Sequence, residues 1–193
     1  MPFLTDPVLT AGAFAAVPQP EIPTGDGLLL RPWQASDAPA VYAAFQDPLM
    51  HRWQLRAADS AHEVRGWIEE WRGEWATARS VQWAVVDAGE GALLGRVALH
   101  HIDLVDGVGE IGYWTVPAAR GEGVAARGTS ALARWALDEA GFGRLELTHA
   151  LGNGASCRVA AKCGFALEGT KRSAVLYTDG RQDVHLHARV RGD

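Results

Sequence analysis

Apolar positions along this chain change period several times, and each change marks an element. The run GLLLRPW (27–33) predicts a first strand. SDAPAVYAAF (36–45) predicts a helix, with Ser36 or Asp37 as its N-cap and Pro39 in its first turn. SAHEVRGWIEEWRGEW (60–75) opens with Ser60-x-x-Glu63, the spacing of a capping box. It places Val64, Trp67, Ile68, Trp71 and Trp75 on one helical face, and the three tryptophans are expected in core packing rather than in a ligand wall. VQWAVVD (81–87) and ALLGRVALHHID (92–103) flank the turn AGEG and predict a hairpin, and GEIGYWTV (109–116) predicts a third strand. A helix rich in small residues should run from about 121 to 140 and end at Gly141. RLELTHAL (144–151) alternates as a strand. NGASCRVAAKCGF (153–165) predicts a short helix between an Asn153 cap and Gly164. FALEGTKRSAVL (165–176) and RQDVHLHARV (181–190) predict two last strands.

That order implies an α/β (α+β) domain built on one mixed sheet. Residues 1–24, rich in Pro and Ala, read as an irregular arm lying on a single domain that spans 25–193. The length, 193 residues, suffices for a substantial core. A net charge of -5 without any basic run argues against nucleic acid as a partner. Asp6, Pro7 and Pro18 interrupt the N-terminal apolar residues, so neither a signal peptide nor a membrane span is expected. Cys157 and Cys163, six apart, match neither a zinc knuckle nor a redox pair and are expected as reduced core thiols of a cytoplasmic protein.

The candidate chemistry sits in VPAARGEGVA (116–125), where a strand runs through a glycine turn into a helix. A helix start offers free N–H groups and the positive end of the dipole, and glycines let an anion reach the backbone. A phosphate or pyrophosphate is the expected guest. A Walker loop is excluded, because GVAARGTS lacks the Gly-Lys pair. Gly121-x-Gly123-x-x-Ala126 fits a relaxed dinucleotide fingerprint, but it lies mid-chain, and the nearest acid, Glu146, sits inside its strand. Arg120-x-x-Gly123-x-Ala125 resembles the (Gln/Arg)-x-x-Gly-x-(Gly/Ala) signature of the GNAT acyl-CoA N-acyltransferase superfamily. RLELTHALGNGASCRVAAKCGF is similar to the next strand and helix of the branch that holds the ribosomal-protein N-terminal acetyltransferases, and LLLRPWQASDAPAVYAAF resembles that branch's opening.

The resemblance implies a GNAT fold with a splayed parallel strand pair, 109–116 and 144–151, that receives acyl-CoA. Backbone of Trp114 and Val116 would pair with the pantetheine arm, and Asn153 would bond the same arm. The N–H groups of Gly121, Gly123, Val124 and Ala125 would hold the pyrophosphate, with Arg120 adding charge. The implied reaction transfers an acetyl group from acetyl-CoA to a primary amine: a peptide N-terminus, a lysine or a small molecule. Glu110 shares a strand face with Trp114 and is the candidate base. The N–H of Trp114 would stabilise the oxyanion. Many relatives carry a tyrosine acid where Asn153-x-x-Ser156-x-x-Val159-Ala160-x-Lys162-x-Gly164-Phe165 has Ala160, so Ser156 is the candidate acid. Another donor such as succinyl-CoA, or a CoA-binding sensor without turnover, stays an alternative, and a homodimer stays open. His185-x-His187 and His100-His101 could pair on a metal, but no carboxylate or Cys completes a site along the sequence, and no metal is expected.

Overall fold

The computed structural model describes residues 4–193. Eight strands form one sheet: β1 (Ile22–Pro23), β2 (Leu28–Arg31), β3 (Val81–Asp87), β4 (Leu93–Asp103), β5 (Val108–Thr115), β6 (Arg144–Ala150), β7 (Ala166–Tyr177) and β8 (Gly180–Val190). Their order is β1-β2-β3-β4-β5-β6-β8-β7. Neighbours run antiparallel except β5 and β6, which are parallel. A parallel pair needs a crossover, and the helix α4 (Val124–Arg134) supplies it.

Both faces of the sheet are covered. Helices α1 (Ala38–Ala44) and α3 (Ala61–Thr77) bury Val41, Phe45, Val64, Ile68 and Trp71 with Trp33, Ala84 and Trp114. On the other face α4 and α5 (Gly154–Lys162) bury Val124, Leu132 and Ala160 against Val97, Leu99, Ile111 and Leu147. Trp67, Trp71 and Trp75 are buried, so the aromatic stripe of α3 is core. Ser60 accepts from the Glu63 N–H at 3.1 Å, while the Glu63 carboxylate reaches the N–H of Asp59 instead of Ser60.

Two local expectations change. Asp37 is the N-cap of the first helix, which begins at Ala38, but its side chain makes no cap bond, since Arg31 donates to its two oxygens at 2.8 and 2.7 Å in a buried ion pair. The crossover helix begins at Val124 rather than near 121, since Gly121 (φ 89°) and Gly123 (φ 76°) are left-handed. Through a π turn at Trp135–Glu139 it reaches its C-cap Ala140 and stops at the left-handed Gly141, as expected. A further helix, α2 (Pro48–Trp53), was signalled only by its Asp47-Pro48 start; the Asp47 carboxylate accepts from the Leu49 N–H.

The N-terminal arm, described from residue 4, is not wholly irregular: it ends in β1. Leu9 and Phe14 enter the core, and the Phe14 ring meets Trp75, Trp135 and Phe142. The indoles of Trp75 and Trp83 donate to the carbonyls of Val17 and Pro20 at 2.9 and 2.8 Å. Among the described residues no helix is long and apolar enough to cross a membrane.

Candidate active site

The parallel pairing of β5 and β6 covers only Val108↔Arg144, Gly109↔Leu145 and Glu110↔Glu146. Both strands run on, to Thr115 and Ala150, but no longer as partners. The gap opens into a cavity of about 340 Å³. Its walls come from α2 (Met50, Trp53), from β5 (Tyr113, Trp114, Thr115), from the turn 119–126, and from α5 (Asn153, Ser156, Arg158, Lys162).

The residues expected from the sequence divide here. Trp114, Arg120, Gly121, Gly123, Val124, Ala125, Asn153 and Ser156 line the cavity; Val116 and Glu110 do not. The assignment of Val116 is corrected. Its N–H donates to Leu94 O at 2.9 Å, and its carbonyl accepts from Ala119 N–H at 3.0 Å, so its main chain is engaged away from the gap. The same bond corrects the role of Trp114. The pairs from Gly95↔Thr115 to His100↔Glu110 run without a shift, so alternation turns the main-chain groups of Trp114 toward β4. Those of Tyr113 and Thr115 face the gap. Trp114 contributes its indole, packed near Trp33 and Phe45.

Arg120 is not a free cation. Its guanidinium pairs with Asp47, the cap of α2, and holds that carboxyl below the usual range. The unassigned cations are Arg158 and Lys162. Four apart on α5, they line the cavity with Ala155 and Val159, a helical spacing legible in the sequence. Asn153 caps α5 by accepting from Ser156 N–H at 3.2 Å, which leaves its amide N–H₂ to donate elsewhere. Tyr113, which no sequence motif singled out, stands beside this turn: its hydroxyl donates to Ser156 O at 3.5 Å. Burial pushes the phenol up to about 12, so it is protonated at neutral pH.

Glu110 lies on the opposite sheet face, with Gly112 and Trp114. Its carboxylate accepts from Thr148 on β6 and from His101 Nδ1 at 3.0 Å. Burial raises the carboxyl, but the hydrogen bonds from Thr148 and His101 outweigh it and hold it below the ordinary value. His100 packs across from Glu110, and burial lowers its imidazole to about 4, so it is neutral. His101 sits at a β-bulge with φ 49°, an uncommon conformation that turns its ring to the carboxylate. Toward the cavity, the Trp53 ring meets Tyr177 edge-on at 5.9 Å.

The histidine pair of β8 also gains partners. The sequence offered no Cys or third His beside His185 and His187, yet β6 brings His149 and α5 brings Cys157 to them. The cause is tertiary: β6 and β8 pair in the register His149↔His185, and α5 starts directly above. Cys157 is half-buried there, whereas Cys163 is a buried core thiol bonded to Ser130 and Ala126.

A mixed sheet with a splayed parallel pair, and a glycine turn running into the crossover helix, is the architecture expected, from the sequence, of an acyl-CoA-dependent N-acyltransferase. Residues 27–166 match the acetyltransferase (GNAT) domain, and the chain belongs to that family. YdaF of Bacillus subtilis, provisionally named a ribosomal N-acetyltransferase, is 31% identical over 113 residues, 58% of this chain and 60% of YdaF. The ribosomal-protein-serine acetyltransferase of Escherichia coli is 30% identical over 52% of this chain and 56% of its own length. The matched region therefore spans less than two thirds of these relatives. Among solved structures, RimL, the ribosomal L7/L12 α-N-protein acetyltransferase in complex with coenzyme A, superposes with a TM-score of 0.78 at 21% identity, covering 89% of this chain and 98% of RimL. MccE, the microcin C7 self-immunity acetyltransferase in complex with acetyl-CoA and AMP, gives 0.79 at 18% identity, covering 86% and 94%. Both likenesses establish the fold.

Proposed function

We propose that this chain is an N-acetyltransferase that moves the acetyl group of acetyl-CoA to a primary amine. The observation that carries the reading is the early end of β5–β6 pairing, which opens a cavity with a glycine turn at one end and Ser156 on its wall. The pantetheine arm would add to the free edge of β5 through the main-chain groups of Tyr113 and Thr115. The N–H groups around Gly121, Gly123, Val124 and Ala125 would hold the pyrophosphate, with Arg158 and Lys162 as the nearby cations. Asn153 would donate its free amide to the same arm.

The amine nitrogen attacks the thioester carbonyl, and the carbon–sulfur bond breaks. Glu110, ionised at neutral pH, takes the amine proton through water, because it stands behind the cavity rather than on its lining. The tetrahedral oxyanion is held by a gap-facing N–H of β5. The departing thiolate takes a proton from Ser156, with the Tyr113 hydroxyl as its neighbour. The amine is expected to be a protein N-terminus, as in the α-N-protein acetyltransferase name of RimL.

The test is thiol release from acetyl-CoA in the presence of N-terminal peptides, lysine peptides, polyamines and aminoglycosides, with products located by mass spectrometry. Acetylation of an α-amine is the expected product. CoA binding without thiol release from any amine would replace this reading by that of a sensor; faster release from succinyl-CoA would change the donor.

A further inference from the structure

We propose that His149, Cys157, His185 and His187 form a binding site for a zinc-class divalent cation. One ligand atom from each lies within 4.8 Å of the other three. The His149 and His187 rings lie 27° from parallel, and their Nε2 atoms face each other at 3.2 Å. Their Nδ1 atoms face the carbonyls of Ala150 and Phe165, at 2.9 and 3.4 Å. A carbonyl can only accept, so each Nδ1 carries the hydrogen, and both Nε2 atoms point lone pairs into the same gap. Lone pairs so close repel unless a positive centre lies between them.

A tetrahedral metal with nitrogens at about 2.0–2.1 Å sets its ligand nitrogens about 3.3 Å apart, close to the spacing found. Metal-bound imidazoles also hand their other N–H to a carbonyl, as these two do. A proton shared by the two nitrogens would relieve their repulsion too, but it leaves two other donors without a task. The His185 Nδ1 is buried and has no hydrogen-bond partner, and a ring nitrogen of His185 and the Cys157 sulfur lie within 4.8 Å of the His149 and His187 nitrogens. Three imidazoles and one thiolate supply four of the nitrogen and sulfur ligands that zinc takes, enough to close a tetrahedral site. On binding, the Cys157 thiol loses its proton to solvent, and the imidazoles bind neutral.

None of the four lines the acyl-CoA cavity, so the metal takes no part in acyl transfer, and the site stands independently of that reading. Its effect is mechanical. It ties the end of β6 and the middle of β8 to the first turn of α5, the turn that carries Ser156. Cys157 and His185 are only half-buried and give the ion its way in.

The whole protein, stripped of metal and checked for fold by circular dichroism, is titrated with zinc against a chromophoric chelator, and then with cobalt. The expected results are one zinc per chain bound tighter than ~1 μM, a rise in melting temperature, and a cobalt spectrum with a thiolate charge-transfer band and tetrahedral visible bands. Zinc should also shield Cys157 from alkylation. Cys157→Ser, at a half-exposed helix position, should lose the charge-transfer band and at least tenfold in zinc affinity; Cys163→Ser should lose neither. Two results would overturn the site: wild-type protein that takes up no stoichiometric zinc, or uptake indifferent to Cys157→Ser. A low-field shared imidazolium proton that persists in the presence of zinc would likewise give the gap to a proton.

Discussion

Glu110 is the residue on which the proposed chemistry turns. Thr148 and His101 hold its carboxyl below the ordinary value, so the proposed base is ionised across the neutral range. Glu110→Gln is expected to lower kcat by ~10²–10⁴-fold while acetyl-CoA affinity stays nearly constant. The sign of its titration follows from the lowered carboxyl. Whatever Glu110 contributes to activity and stability is present above the ordinary carboxylate value and is lost only as pH falls through the lower folded one. The acid limb of kcat/KM should therefore fall below pH ~4.3. Between pH 6 and 9 the rise should follow the acceptor amine alone, near ~8 for a peptide N-terminus and ~10 for a lysine. A limb near pH 6 would instead give the base role to a histidine. Ser156, the proposed acid, carries only a weakly acidic hydroxyl, so Ser156→Ala should cost roughly tenfold, at the low end of such effects. The loss should grow with donors whose thiols are more basic; an equal small loss with all donors would leave Ser156 a positioning group.

At the scale of elements, the glycine turn carries the proposed binding of CoA. Gly123 is the left-handed N-cap of α4, and a Cβ there meets only the end of the Arg127 side chain at 3.9 Å. Asp tolerates that conformation better than most residues, so Gly123→Asp should fold. Its carboxylate would occupy the place proposed for the pyrophosphate, and CoA affinity should drop at least tenfold by calorimetry. Unchanged affinity in the folded variant would move the phosphates elsewhere. α5 has a matching dependence on its cap. Asn153→Ala removes the bond to Ser156 N–H and should cost about 1 kcal/mol in denaturant unfolding.

For the whole molecule, the N-terminal arm is part of the core rather than a cover. Phe14 packs edge-on to Trp75 at 4.9 Å, and Phe14→Ala should cost about 3–5 kcal/mol, as for other deeply buried aromatics. The cost should appear as a lower urea midpoint with CoA affinity retained by the folded fraction, because the arm meets β5 and β6 near their paired ends, where Val8 and Leu9 bond Val105 and Leu104, and not at the splayed ends. Salt should act the other way: it weakens CoA binding by screening the phosphates from Arg158 and Lys162 and leaves the apolar core untouched.

Local signals sufficed for much of this fold. Ser60 with Glu63, Asn153, and the glycines at 141 and 164 bound their helices through bonds that span a few residues, and period two marked the strands. The motif from Arg120 to Ala125 likewise marked the cavity's turn through adjacent residues alone. What failed locally failed because a partner in another element outbid a local one. Asp37 holds the expected N-cap position, but Arg31 of β2 takes its carboxylate, which makes no cap bond to the helix. Arg120 was an expected phosphate ligand until Asp47 neutralised it. Val116 and Trp114 were expected at the free edge, but β4 takes their main chain, and the direction of a carbonyl depends on which neighbour the strand pairs with. The histidines show the limit most clearly. His149, Cys157, His185 and His187 are spread over 39 residues, and no spacing rule connects them. They meet because β6 pairs with β8 in one register and α5 begins beside them. The sequence by itself determined most of the elements, the caps at Ser60 and Asn153 and the glycine turn, since those rest on neighbours a turn or two away. The tertiary structure alone decided which charges are spent, which backbone groups are free and which ligands converge, because each depends on contacts between distant segments.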